Sequence, residues 1–368
     1  MKKETISGKQ FAFLLFMYLN SGVLLMGQNA VAGADSWLSL LLAAICILPF
    51  YFIYIDLLKR HPQKDFFAIL KEICGPKLGK FLITLYVLYA IVLASFAMSN
   101  HAQFLHTISL IGMPLWAIMI FMAIIVFLVL RMGFEVLARW IEMVLPVLLA
   151  MLVLTGILTL TESHTIDNFT FLYDGVKPVF IGGFHFLSFP FGEALLLFGL
   201  LDNVKCKKWN LPKTVCLTLF LTTLFIMSNF FRNLSILGPN LMSILNYPTY
   251  EASTLIDAGI FIERIESIVS TNFVLSDFIK TSICLLFAAR GLQSLFNQRE
   301  IARFAPYLIL ISFAIALFVF PSIIMNQLWI EQISYWFWPL LLLLPLFLWL
   351  FTVLQQKREK NKATKSAC

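Results

Sequence analysis

Two of the apolar stretches in this chain are broken in the middle, and the breaks fall in matching places. The first stretch is interrupted at Asn20-Ser21-Gly22. The sixth is interrupted at Phe189-Pro190-Phe191-Gly192, with Glu193 directly behind. Inside hydrocarbon an unpaired backbone N–H or C=O is expensive, so a broken helix persists only where it lines a cavity within the protein. A matched pair of breaks, one in each half of an array of spans, points to a binding site near the bilayer midplane.

The array itself follows from composition. The chain has 368 residues, 60% of them hydrophobic and 13% charged, against roughly 25% charged in a soluble domain. A membrane span needs roughly 20 apolar residues, and about ten such stretches are present: 11–33, 37–58, 81–106, 114–131, 140–160, 178–201, 212–231, 260–292, 305–325 and 335–354. The expected organisation is one transmembrane domain over residues 1–354 and a basic tail over 355–368. That tail reads as disordered and suited to anionic lipid. The first apolar stretch runs too long for a cleaved signal. The six cysteines have no metal spacing and read as free thiols.

A net charge of +7 would suit nucleic acid, but its placement describes topology instead. Basic residues gather at both termini and in every second connecting segment: Lys2, Lys3 and Lys9; Lys59 to Lys80; Arg131 and Arg139; Lys205 to Lys213; Arg290 to Arg303; Lys357 to Lys365. The opposite segments hold Lys177 and Arg232. By the positive-inside rule both termini are cytoplasmic. The outer segment from Arg232 to Gly259 contains a short helical pattern from Thr249 to Asp257 and reads as a lid. The inner segment Asp65–Cys74 reads as an amphipathic surface helix. Glu135 and Arg139 are helical i, i+4 partners and, with Arg131 and Glu142, read as a clamp at the inner face.

The first break offers Asn20 and Ser21 as caps for freed backbone groups and Gly22 for close approach. A half-helix starting near Val23 would turn its N–H groups toward the cavity, an arrangement that suits a carboxylate. At the second break Pro190 removes a helical hydrogen bond and Gly192 relaxes the backbone. The freed carbonyls around Phe189 and Phe191 would accept from an ammonium or hydroxyl. Glu193 needs a partner or a task, because a carboxylate at membrane depth costs roughly 2.5–3.5 kcal/mol. It holds a substrate ammonium, carries a proton, or pairs internally.

The eighth span is the most polar. Glu263, Ser267, Ser270, Asp277, Thr281 and Cys284 follow helical spacing, flanked by Arg264, Glu266 and Lys280. Such a face turns inward. It lines a polar path that includes Ser270, or forms a structural charge network of Glu263, Arg264, Glu266, Asp277 and Lys280. Asp277 and Lys280, at i, i+3, can satisfy each other. In the third span Ser99, Gln103 and His106 share one face, and Ser99 is a candidate for the cavity wall. Neither a phosphate-binding glycine loop, a metal cluster nor a Ser/His/Asp arrangement is present, so no enzyme activity and no cofactor are expected.

These residues resemble a known family, the permease-like B subunits of GerA-type spore germinant receptors, within the amino acid–polyamine–organocation superfamily. The resemblance rests on Ile6-Ser7-Gly8-Lys9-Gln10, Ala32-Gly33-Ala34-Asp35-Ser36-Trp37, Gly133-Phe134-Glu135-Val136-Leu137-Ala138-Arg139 and Pro190-Phe191-Gly192-Glu193. It also rests on Tyr247-Pro248-Thr249-Tyr250 followed by Gly259-Ile260-Phe261-Ile262-Glu263-Arg264-Ile265-Glu266. It implies an all-α, LeuT-like inverted repeat of five plus five helices, with broken helices 1 and 6 around the site. It further implies recognition of a small nutrient, usually an amino acid, in the inner membrane of a bacterial spore. The implied partners are a larger A subunit and a lipoprotein C subunit. The alternative on the same fold is a proton- or sodium-coupled amino acid permease. The first break departs from the glycine-richer pattern of many superfamily members.

Overall fold

The computed structural model describes residues 6–21, 32–61, 64–159, 172, 175–201, 210–255, 265–298 and 300–366. The regular elements among them are helices: α1 Gly8–Asn20, α2 Ser36–Arg60, α3 Phe66–Ile108, α4 Leu115–Met132, α5 Phe134–Thr159, α6 Val176–Phe186 and α7 Leu195–Phe198. They continue as α8 Leu211–Ile244, α9 Pro248–Thr254, α10 Ile265–Phe296, α11 Ala305–Phe318, α12 Ile323–Trp338 and α13 Leu344–Ser366. Among the described residues, nine helical stretches are long and apolar enough to cross a membrane. The α1 segment, 13 residues long, ends at the first break; the rest of the first expected span, residues 22–31, lies outside the described residues.

Helix α10 lies at the centre of the bundle. Its packing with α3 is the most extensive in the fold, and 89% of its most apolar window is buried inside the protein. This explains why its face tolerates charge: Asp277 and Lys280 touch protein rather than lipid. The outer ring is different. Phe121, Leu128, Phe220 and Leu310 on α4, α8 and α11 remain exposed, as lipid-facing residues should.

The sequence motifs gain local reasons. Ser7 Oγ accepts from Gln10 N at 3.1 Å, and Gln10 Oε1 accepts from Ser7 N at 2.9 Å, a reciprocal cap that starts α1. Gln10 Nε2 then donates to Glu142 Oε2 on α5 at 2.8 Å, and Lys9 pairs with the same carboxylate at 3.2 Å. The expected Glu135–Arg139 pair is present. Asp65 caps the helix that follows it, accepting from Ala68 N at 2.6 Å. That amphipathic helix turns into the third span at Gly75, whose φ of 78° is a conformation side chains rarely adopt.

The same end of the bundle is laced by α2 and α13. Arg60 meets Asp56 at 2.6 Å and donates to Gln356 at 2.7 Å, while Trp349 Nε1 donates to Asp56 at 2.6 Å. His61 sits between Glu72 at 3.5 Å and Thr352 at 3.1 Å, and burial pulls its pKa below the ordinary histidine value. The tail differs from expectation: α13 continues as helix to Ser366 instead of ending near Leu354. Once the helix is nucleated inside the bundle, each further residue fixed gains its own hydrogen bond, and the cost of nucleation is not met again.

At the opposite end, α9 forms where a lid was expected, over Pro248–Thr254. Arg232 donates to the Thr249 carbonyl at 3.1 Å, and Asn233 donates to Thr249 Oγ1 at 2.9 Å. Beneath it the rings of Phe104, Tyr247 and Phe273 interlock, with Phe104 centred 5.2 Å from Tyr247 and 4.8 Å from Phe273. Burial holds the Tyr247 hydroxyl above its ordinary pKa.

Candidate functional site

The sixth span breaks where the sequence places the break. Helix α6 ends at Phe186, a wide turn covers Leu187–Phe191, and a tight turn covers Gly192–Ala194 before α7 resumes. Phe189 leaves helical geometry altogether, at φ −132° and ψ 119°. The first span does the same: Ser21 caps α1 in an extended conformation, at φ −62° and ψ 127°. Gly22 and Val23 lie outside the described residues. Helix α1 packs against both turns of the α6 break, so the two interruptions are neighbours.

Freed carbonyls at such a break need donors. Tyrosine hydroxyls supply them. Tyr51 donates to the Phe191 carbonyl at 2.8 Å, and Tyr18 to the Glu193 carbonyl at 3.1 Å. A third interruption, a wide turn over Pro339–Leu343 between α12 and α13, is capped in the same way. Tyr54 donates to Leu341 at 2.5 Å and Tyr86 to Leu340 at 2.6 Å. All four tyrosines are buried.

A charge pair stands beside the α6 break. Lys280 Nζ from α10 lies 2.6 Å from Glu193 Oε2, and neither side chain exposes more than 1% of its surface. Tyr89 makes a long 3.4 Å hydrogen bond to the other carboxylate oxygen. The ammonium also sits 4.2 Å from the centre of the Phe189 ring and 5.6 Å from that of Tyr18. Both faces add cation–π attraction in a place where water does not compete. Tyr18 further contacts Cys284 Sγ at 3.7 Å. This pairing corrects the expectation that Asp277 and Lys280 satisfy each other. Facing helices offered better partners than the i, i+3 neighbour.

Asp277 instead turns to the first break. Ser21 Oγ donates to Asp277 Oδ1, which leaves Asp277 Oδ2 buried without a hydrogen-bond partner. Asn20 folds its amide back onto the Phe16 carbonyl at 2.7 Å, and its own oxygen is also buried and unpartnered. Ser188 and Thr281 contribute two more unpartnered buried hydroxyls. Around the α6 break, then, a fixed ion pair, a carboxylate with a spare oxygen and several spare hydroxyls are held in a water-poor interior. Such groups can bind a small polar or zwitterionic molecule, or pass a proton; they have no nucleophile–base arrangement.

The remaining sequence candidates fall elsewhere. Ser99 donates to the Phe320 carbonyl at 2.7 Å, in a cluster with Gln103 and Asn326 that ties α3 to the end of α11. It approaches the break only through rings: Phe96 meets Phe320 at 5.8 Å and Phe189 at 6.0 Å. Ser270 is satisfied within its own helix by the Glu266 carbonyl at 2.8 Å. Glu263 and Arg264 lie outside the described residues. Sequence reading missed Tyr18 and Tyr51, although a tyrosine deep in an apolar span is itself a sign that a hydroxyl has a partner to reach.

Comparison with known proteins agrees with the fold. A family model described as "Spore germination protein" matches residues 5–329. Spore germination protein KB of Bacillus subtilis (strain 168) is 24% identical over 375 residues, covering 100% of both chains. Spore germination protein YndE of the same organism is 22% identical over 302 residues, covering 81% of this chain and 83% of the relative. The crystal structure of MhsT in complex with L-phenylalanine superposes with a TM-score of 0.64 at 13% identity, covering 96% of this chain and 99% of that one. That likeness establishes a LeuT-like fold.

Proposed function

We propose, for a chain that belongs to the spore germination protein family, that it is the permease-like B subunit of a spore germinant receptor. It binds a small nutrient, an amino acid, between the broken helices near the bilayer midplane. It sits in the inner membrane of the spore with both termini on the core side. The larger A subunit and the lipoprotein C subunit read its conformational change. Only a ligand with different affinity for the two states can shift them.

The observation that carries this reading is the buried Glu193–Lys280 pair at the α6 break. An ammonium and a carboxylate held side by side present one counter-charge to each end of a zwitterion. The spare oxygens of Asp277 and Asn20 at the α1 break add acceptors for an ammonium. MhsT, of the same fold, is titled as a complex with L-phenylalanine, which supports a zwitterion of this size here. The test is equilibrium binding of a panel of amino acids, sugars and nucleosides to the purified chain, together with uptake into proteoliposomes. The expected result is saturable binding of an amino acid without net accumulation.

The permease reading draws on one specific observation. Asp277, with a free oxygen against the first break, could bind and release a coupling cation. Substrate-driven counterflow that depends on a proton or sodium gradient would establish that reading instead.

A further inference from the structure

His61 follows the last turn of α2 and bridges three elements. Its Nε2 lies 3.1 Å from Thr352 Oγ1 on α13, and its Nδ1 lies 3.5 Å from Glu72 Oε2 on the amphipathic first part of α3. The Thr352 hydroxyl gives its single proton to the Leu348 carbonyl at 2.9 Å. It therefore accepts from His61, which places the ring proton on Nε2. Nδ1 is then a lone pair, facing the carboxylate with no proton between them. Glu72 is already bonded to Lys64 Nζ at 2.7 Å.

These surroundings hold His61 neutral. Its side chain is 13% exposed, whereas that of Glu72 is 45% exposed and shared with Lys64. Burial disfavours the charged ring, Lys64 acts in the same direction, and the screened, already paired Glu72 opposes them less strongly. The nearby charges of α2, Asp56 and Arg60, pair with each other at 2.6 Å. From α13 the ring meets the neutral Thr352. The pKa of His61 is thereby held below the ordinary histidine value of 6.5. A proton binds more weakly while α13 is in place than when the ring is released to solvent, so by linkage acid favours release. The contact is at full strength above pH 6.5 and weakens as the pH falls below it.

We propose that His61 is a pH-sensitive latch: neutral, it fastens α13 to α2 and the amphipathic helix; protonated, it lets this end of the bundle part. The other ties between α2 and α13, Trp349 to Asp56 and Arg60 to Gln356, keep their charges across this range. Acid therefore loosens this end without unfolding it. The latch is mechanically joined to the break. Tyr54, two turns before His61 on the same face of α2, caps the Leu341 carbonyl in the turn that leads into α13. Tyr51, one turn earlier still, caps Phe191 at the α6 break. Movement of α13 off α2 thus pulls on the helix that braces the break.

Hydrogen exchange tests the latch. The full chain in nanodiscs and its His61→Gln variant are exchanged side by side from about pH 5 to about pH 8, the range in which histidine titrates. Gln keeps a donor for Thr352 but does not titrate. The quantity read is the ratio of the two rates, unaltered chain over variant, for the amides of residues 348–356; the ratio removes the pH dependence of exchange itself. It is expected to be near one at the alkaline end and to rise about three- to tenfold at the acid end, since each unit of pKa difference is a factor of ten. A ratio that stays flat overturns the proposal, as does an acceleration that spreads equally to the α10 core. If His61→Gln does not fold, Thr352→Val takes its place. Without the acceptor, these amides are expected to exchange about three- to tenfold faster than in the unaltered chain at the alkaline end and equally fast at the acid end. A constant ratio there overturns the proposal as well.

Discussion

Lys280 and Glu193 come from helices far apart in sequence, yet their charged atoms lie 2.6 Å apart in a place that excludes water. Each has been taken out of solvent at a cost that the other offsets, helped by Tyr89 on the carboxylate and by the Phe189 and Tyr18 rings on the ammonium. The pair therefore ties α10 to the turn after the α6 break.

Breaking that tie from one side leaves an uncompensated buried charge. Glu193→Gln and Lys280→Met are each expected to destabilise the chain by about 3–5 kcal/mol, and the double variant by much less than their sum. Thermal unfolding in detergent, run as a double-mutant cycle, measures the coupling. Additive losses would mean that the two charges are stabilised separately.

Tyr51→Phe removes the donor on the Phe191 carbonyl without changing the packing volume. The orphaned carbonyl is expected to cost about 1–3 kcal/mol. Tyr18→Phe should act similarly through the Glu193 carbonyl. Denaturation midpoints of the two variants check both. A loss below the error of the measurement would show that the carbonyls find other donors.

Gly192 has no room for a side chain. A Cβ there would stand 2.9 Å from the Leu187 carbonyl oxygen and 3.6 Å from Leu341. Gly192→Leu is expected to abolish the germination response while the protein still reaches the membrane, as judged by immunoblot of membrane fractions. An ordinary dose-response in this variant would remove the α6 break from the mechanism.

Helix α9 is held by Arg232 and Asn233 on Thr249. Asn233→Ala should release one of the two contacts, at about 1 kcal/mol. Backbone amide exchange across Pro248–Thr254 is expected to speed up about fivefold, with exchange in the α10 core unchanged. Equal protection in both proteins would mean that the ring cluster around Phe104 alone holds α9.

The parts of this architecture visible in sequence were those written in local chemistry. Apolar length marked the spans, Pro190 and Gly192 marked the α6 break, and Asn20-Ser21 marked the end of α1. The short helix α9 was legible through Tyr247-Pro248, and the Glu135–Arg139 pair through its spacing. Partner choice was not legible. Asp277 and Lys280 stand three residues apart, and only the arrival of α1 and α6 from elsewhere decides that one meets Ser21 and the other Glu193. The interruption at Pro339–Leu343 was hidden because Leu340 to Leu344 run straight through it, so hydropathy does not change there. The helical tail was misread because charge alone says nothing about a helix already started upstream.

The tyrosine caps carry one last consequence. The carbonyls exposed by the broken helix are already bonded to the protein's own hydroxyls before any ligand arrives. A visiting molecule therefore gains nothing by offering hydrogen-bond donors to Phe191 or Glu193; at best it trades one bond for another. Selection must then operate through what is left open, namely fit to the aromatic walls, the balance of the Glu193–Lys280 charges, and the unpartnered oxygens of Asp277 and Asn20. Two nutrients equally rich in donors should be told apart by shape, by charge and by whether a donor reaches those two oxygens, rather than by how many hydrogen bonds they can make.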